Sequence, residues 1–236
     1  EATRVPFTIA RLGEHPTTAA RVDAPTSHVD LVPTLLSAAG VDVAEVDAEL
    51  RRDFSEVHDL PGRDLMPLVD GAAPDPARAV YLMTRDNMLE GDTGASGLAR
   101  RLGRTAKVPP PLRIQVPAHV GSNFEGLVAT VPASVPGGAG HLWKVVRTFD
   151  DPTTWTEPGV RHLAADGPTG PSYRTEPVPD QWELYDLEAD AVEAVNRVDD
   201  PDAAEVLAHL RRRLKEERAA SAPERHQPWP YVARNE

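Results

Sequence analysis

Apolar residues recur along this chain in two periods, and the alternation between the periods marks out its elements. In SHVDLVPTLLSAAG, Leu31, Val32, Leu35, Leu36 and Ala39 stand at helical spacing. Asp30 is a capping residue by type, Pro33 suits a first turn, and Gly40 lies just beyond the last periodic position, so a helix is expected. Each large member of that stripe contributes about 1.5–3 kcal/mol when fully buried. Residues 5–10 form a short run with β-formers before a stretch bearing Gly and Pro, which predicts a buried strand. Residues 43–58 are charged and partly helical. LPGRDLMPLVDG then reads as a turn and a short helix closing at Gly71, and residues 79–83 read as a strand. Residues 91–103 hold a helical pattern interrupted by glycine, where each interior glycine costs about 1 kcal/mol relative to alanine.

Three successive prolines, Pro109, Pro110 and Pro111, mark a boundary. Beyond them the period shortens to that of strands, expected at residues 112–116, 124–131, 141–149 and 182–187. From Asp200 it lengthens again. Pro201 fits a first helical turn, and Ala203, Val206, Leu207, Leu210 and Leu214 make one apolar stripe of a helix running to about residue 220. Residues 223–236 carry Pro228, Trp229, Pro230 and Tyr231 without periodicity and are expected to be an extended tail. Between the strands ending at Phe149 and starting at Trp182 lies a proline- and glycine-rich connection, expected to be an irregular loop. Structureless loops of that length are uncommon in compact domains and often functional.

The 236 residues suffice for one large domain or two small ones. The absence of cysteine removes disulfides, thiolate metal sites and thiol nucleophiles. A formal charge of −12 argues against nucleic acid or an anionic membrane as partner, since phosphate binding needs a positive footprint. No apolar run approaches the roughly 20 residues of a membrane helix. The protein is therefore expected to be soluble. The first residue is Glu1, so any signal peptide is expected upstream of it, and the compartment stays open.

Three stretches, in order, resemble the sulfatase family of the alkaline phosphatase superfamily. RVPFTIARLG leading to RVDAPTSHVDLVPTLLSAAGV is similar to the strand, loop and helix that follow the family's active-site lysine region. LPGRDLMPLVDG resembles its short helix before a strand. WKVVRT, followed by WELYDLEADAVEAVNRVDDP, resembles its C-terminal hairpin and the turn before the last helix. Residues 85–140 and 150–180 depart from the common pattern. The resemblance implies an α/β fold: the remainder of a large sulfatase-like domain over residues 1–108, a small antiparallel-sheet subdomain with a packed helix over 109–221, and the tail from 222. It also implies a parent enzyme that hydrolyses sulfate esters with an upstream formylglycine nucleophile and a divalent metal, calcium or magnesium. That metal would act as a Lewis acid. None of the family's catalytic or metal motifs falls on this sequence, so no cofactor, metal ligand or catalytic residue is expected within it. The chain alone is expected to be inactive.

Six residues are candidates for substrate contact. His28 sits before the first helix, where Ser27, His28 and Asp30 mimic a triad. Residues so close in sequence seldom align as one, so Asp30 is read as the cap and His28 as a possible contact from a cleft-bordering loop. Asp86 and Asn87 follow a strand and repeat the family's later metal pair, but out of order, which leaves them as substrate contacts. Arg161, His162 and Arg174 lie in the long connection, where arginine's planar donors suit the paired oxygens of sulfate. The pairs Asp150–Asp151 and Asp199–Asp200 precede prolines and are read as turn or cap residues. His209 is read as a surface residue, and the Arg211–Arg213 run as a complement to a helix C-terminus. Two alternatives accompany the sulfatase: a phosphonate monoester hydrolase or phosphodiesterase of the same superfamily, and a non-catalytic accessory protein that binds a sulfated ligand or partner chain. The expected partner is a small sulfate ester, with association through an exposed sheet edge.

Overall fold

The computed structural model describes residues 7–10, 21–54, 57, 59–84, 121, 123–155, 157, 159–167 and 170–222. The elements among them run in the order 3-10 turn His28–Asp30, α1 Leu31–Ala38, α2 Val43–Asp53, α3 Met66–Val69, β1 Ala79–Thr84, β2 Asn123–Thr130 and β3 Leu142–Phe149. A 3-10 turn Pro152–Thr154 follows, then β4 His162–Gly167, β5 Gly170–Arg174, β6 Gln181–Asp186, a 3-10 turn Pro201–Ala203 and α4 Ala204–Ser221. Two compact units divide these residues. One takes those within Glu1–Val80, Val128–Thr130 and Arg212–Glu236, the other those within Tyr81–Leu127 and Val131–Arg211. The helices and strands expected at 91–103 and 112–116, and the tail from 223, lie outside the described residues.

In the first unit the local signals place the helices well, and α3 ends as expected with Gly71 at φ 94°. The faces of α1 are the reverse of its periodicity. Pro33 and Thr34 are buried, whereas Val32 and Leu35 are 50 % and 65 % exposed and Leu31 and Val29 are also open. The reason is a polar tie on the buried side. Thr34 Oγ1 donates to the Asp30 carbonyl at 2.6 Å and accepts the Leu65 N–H at 2.9 Å, so this face is turned toward residues 62–65. Gly62 sits so close that an added Cβ would fall 1.9 Å from the Val29 carbonyl oxygen. Residues 7–10 carry no strand and Phe7 is exposed, because a strand needs a neighbouring ladder and none pairs with them among the described residues.

The four-stranded sheet has the order β1-β2-β3-β6 and is antiparallel. Its β3–β6 pair runs from Trp143↔Asp186 to Thr148↔Gln181. Within the second unit Leu127, Trp143, Val145, Leu184, Val206 and Leu210 are fully buried and form the core. Trp143 brings a polar N–H into that core and donates it to the Gly138 carbonyl at 3.2 Å. The turn holding Gly138 also places Gly137 against Asp202 and Val206, where a Cβ would stand 2.5 Å from the Asp202 carbonyl oxygen. The edge strand β6 is covered by the chain that follows it. Asn196 accepts the Leu184 N–H and donates to the Trp182 carbonyl, and the Arg197 N–H meets the Leu184 carbonyl. This occupies an edge that would otherwise invite another strand.

Of the predicted stripe, Ala203 in the turn before α4 and Val206, Leu210 and Leu214 within it are buried and Leu207 is half-buried, while His209 is half-buried rather than on the surface. The arginine run lies mid-helix, not at the C-terminus, because the helix continues to Ser221. Arg211 stacks 4.1 Å over the Trp182 ring, and Arg213 reaches the Ala77 carbonyl and Glu217. No helix among the described residues is long and apolar enough to cross a membrane.

Candidate functional site

The connection between β3 and β6 is not the irregular loop that its composition suggests. It contains a two-stranded sheet of its own, β4 and β5, with His162↔Arg174 as the first rung and Gly167↔Gly170 as the last. Asp151 opens the segment by capping the turn Pro152–Thr154, accepting the Thr153 N–H at 3.0 Å as its position before proline predicts. Asp150 does something else. Its side chain is wholly buried; Oδ1 accepts from Arg174 Nη2 at 2.6 Å and Oδ2 from the Val178 N–H at 3.0 Å. One carboxylate at the end of β3 thus fastens both β5 and the approach to β6.

His162 is fully buried beside this pair, its ring stacked on Trp155 with centroids 6.2 Å apart and planes 10° from parallel. Burial pushes the imidazole below its ordinary pKa of 6.5, and the Arg174 charge pushes the same way against a smaller opposing pull from Asp150. The ring is therefore held in its neutral form at neutral pH. Trp155 and Asp150 are the members of this cluster that sequence reasoning did not select. The only signal for Asp150 was its place beside a capping aspartate.

A prediction with a definite sign follows from His162. A histidine of lowered folded pKa has the same charge in both states above its unfolded value, so its favourable contribution is present above about pH 6.5. Below that the unfolded chain takes up a proton first, and stability falls until the pH has passed through the folded pKa. Hydrogen exchange of the β4–β5 amides should quicken as pH falls, after correction for intrinsic rates, and His162→Gln should flatten that dependence. An unflattened profile would remove His162 as its origin. His141 acts in the opposite sense: the hydrogen bond to Asp186, 2.9 Å away, raises its pKa, and its contribution is lost as pH rises through that raised value.

Arg161 completes the candidate set in this unit. Its Nε donates to Glu157 Oε1 at 2.6 Å and its guanidinium lies 4.2 Å over the Tyr173 ring. The three expected contacts of the connection, Arg161, His162 and Arg174, are thus gathered at one end of one hairpin, with the latter two turned inward. In the other unit, His28 begins the 3-10 turn before α1 and is exposed. Asp86 and Asn87 lie outside the described residues.

Asp30, expected to cap α1, stands at that position without a capping hydrogen bond from its side chain. The carboxylate, on a residue only 1 % exposed, instead accepts the Ser27 N–H at 2.8 Å, the Arg63 N–H at 2.8 Å and the Arg78 guanidinium. Burial raises its pKa, but the bonds from Arg78, Arg63 and Ser27 outweigh that and hold the carboxyl below its ordinary range. This is a structural node; no group of three His, Asp or Glu side chains stands ready to hold a metal among the described residues.

No family model matches the chain, and no curated protein matches it. Among solved structures it is similar to that of BT4656 in complex with its substrate D-glucosamine-2-N,6-O-disulfate, with a TM-score of 0.40 and 17% identity. The match covers 83% of this chain and 24% of that one, so the chain spans about a quarter of that neighbour's length.

Proposed function

We propose that this chain is the C-terminal portion of a sulfatase whose whole protein hydrolyses a sulfate ester by metal-assisted displacement. The observation that carries the reading is how the stretches resembling the family are joined. SHVDLVPT is bonded to LPGRDL through Asp30 with the Arg63 N–H and through Thr34 with the Leu65 N–H. WKVVRT pairs antiparallel with WELYD from Trp143↔Asp186 to Arg147↔Trp182. Segments that resemble one family in sequence and order are thus joined in two bonded pairs, which supports reading them as parts of one framework.

None of the family's catalytic or metal motifs, the cysteine- or serine-based formylglycine motif among them, is placed on this sequence. The displacement step is therefore assigned to no residue of this chain. Its part is to bind and to complete the fold. The test compares the gene product containing these residues with the 236-residue chain alone on three esters: an aryl sulfate, an aryl phosphonate monoester and an aryl phosphodiester. The whole product should prefer the sulfate, and the chain alone should turn over none. Preference for a phosphorus ester would overturn the reaction class. Metal-dependent aryl sulfate hydrolysis by the chain alone would overturn the assignment of the chemistry to other residues.

A further inference from the structure

We infer that Arg161, just before β4, and Tyr173, on the second rung of the β4–β5 hairpin, form a binding platform for a sugar ring that carries a sulfate ester. The identity of the anion rests on the sulfatase reading above; the choice of residues rests on the geometry.

The hairpin is an insertion that the sheet does not need. β3 and β6 are antiparallel neighbours paired as far as Thr148↔Gln181, and such a pair is commonly closed by a two-residue turn. Instead the chain makes an ordered excursion with its own sheet and a buried ion pair, and ordering costs about 1–2 kcal/mol per residue in backbone entropy alone. The brace has a consequence for the cations. Arg174 is committed to buried Asp150 and neutral His162 is inside, so Arg161 is the most open of the three candidates, at 43 % side-chain exposure against 10 % for Arg174.

Arg161 offers a partly used guanidinium. Glu157 takes its Nε and Nη2 edge, while Nη1 meets no partner among the described residues. The Tyr173 ring beneath it is 42 % exposed, and the adjoining Val160 is 61 % exposed. The guanidinium thus covers one side of the phenol, and its open Nη1 edge stands beside the exposed remainder of the ring and the exposed Val160. The C–H face of a sugar ring can stack on the phenol, while a sulfate presents paired oxygens to the open guanidinium edge. Glu157 sharpens the choice: it already neutralises much of the Arg161 charge, so free sulfate gains little without the stacking. An unsulfated sugar gains the stacking without the charged hydrogen bonds. Both halves of the ligand are needed.

The experiment titrates the 236-residue chain with a methyl glucoside 6-O-sulfate, the unsulfated methyl glucoside and inorganic sulfate, followed by NMR of the Arg161 Nε–H and the Tyr173 ring. The sulfated glycoside should bind at least about tenfold more tightly than either half-ligand, the scale of one charge-assisted hydrogen bond. Tyr173→Ala and Arg161→Gln should each lose about tenfold, Tyr173→Phe should retain affinity, and Arg161→Lys should lose the preference for the sulfated form. Retained His162 ring resonances would certify the hairpin in each variant. Equal affinity for all three ligands, no binding, or variants that bind like the parent chain would overturn the platform. Binding as described in a whole product that cleaves no sulfate ester would sink the sulfatase reading and leave the platform standing. Aryl sulfate turnover with sulfated-sugar binding and KM unmoved by both substitutions would do the reverse.

Discussion

Replacing Asp30 by alanine should cost the first unit about 3–5 kcal/mol, the range for removing one partner of a buried ion pair. The carboxylate serves three donors at once, and its loss leaves Arg78, itself only 8 % exposed, without the counter-charge it now contacts. It also frees the Arg63 N–H, the link between the 62–65 turn and the start of α1. Hydrogen exchange at the Arg63 and Leu65 amides should therefore accelerate by about 100-fold or more, since those bonds are protected only while the tie holds. Asp30→Asn preserves size and one acceptor and should fall between the two. The carboxyl's lowered pKa adds a second signature: its stabilising contribution is complete above the unfolded value of 3.8 and is lost as pH falls through the folded value. The alanine variant should lack that acid dependence. Unchanged exchange at both amides would show that the 62–65 turn is held by something other than Asp30.

The same node shows what periodicity can and cannot reveal. The spacing of Leu31, Leu35 and Leu36 locates α1, because a stripe of apolar residues reports the period of the backbone. It does not report which neighbour the stripe will meet. Thr34 and Asp30 are buried through bonds to residues 63–65 and 78, partners separated by 31 to 48 positions, and no local pattern encodes such pairings. The strands of the main sheet were legible for a local reason: hydrophobic runs such as those of β2 and β3 are bounded by turn residues, which marks each strand but not its partner, since β3 meets β6 across 33 positions at Thr148↔Gln181. The candidate site lay between these extremes. Arg161, His162 and Arg174 could be selected by residue type and by their unusual connection, but their division into an inward brace and an exposed edge depends on Asp150. Its neighbour Pro152 signals a turn, and a turn is what Asp151 makes; the role of Asp150 appears only when Arg174, 24 residues on, returns beside it.

Asp150→Ala should release the hairpin while leaving the β3–β6 pair folded. Its carboxylate is the common acceptor for Arg174 and the Val178 N–H, and without it a largely buried guanidinium remains beside a buried imidazole. The local cost should again be about 3–5 kcal/mol, which the hairpin can relieve by opening Arg174 to water. The sheet has separate support in buried Trp143, Val145 and Leu184 and in the Asn196 bonds along β6. Hydrogen exchange should therefore rise about 100-fold in β4 and β5 and remain near its original value in β3 and β6. A paired replacement, Asp150→Leu with Arg174→Leu, should recover much of the lost protection, since apolar groups of suitable volume can replace a buried pair at little cost. Asp150→Ala should also abolish binding of the sulfated glycoside although Arg161 and Tyr173 are untouched, because a platform on an open hairpin no longer holds its ring and guanidinium in register. Loss of protection across both sheets together would show that the hairpin and the main sheet are one cooperative unit, and unaltered protection in β4 and β5 would remove Asp150 as their anchor.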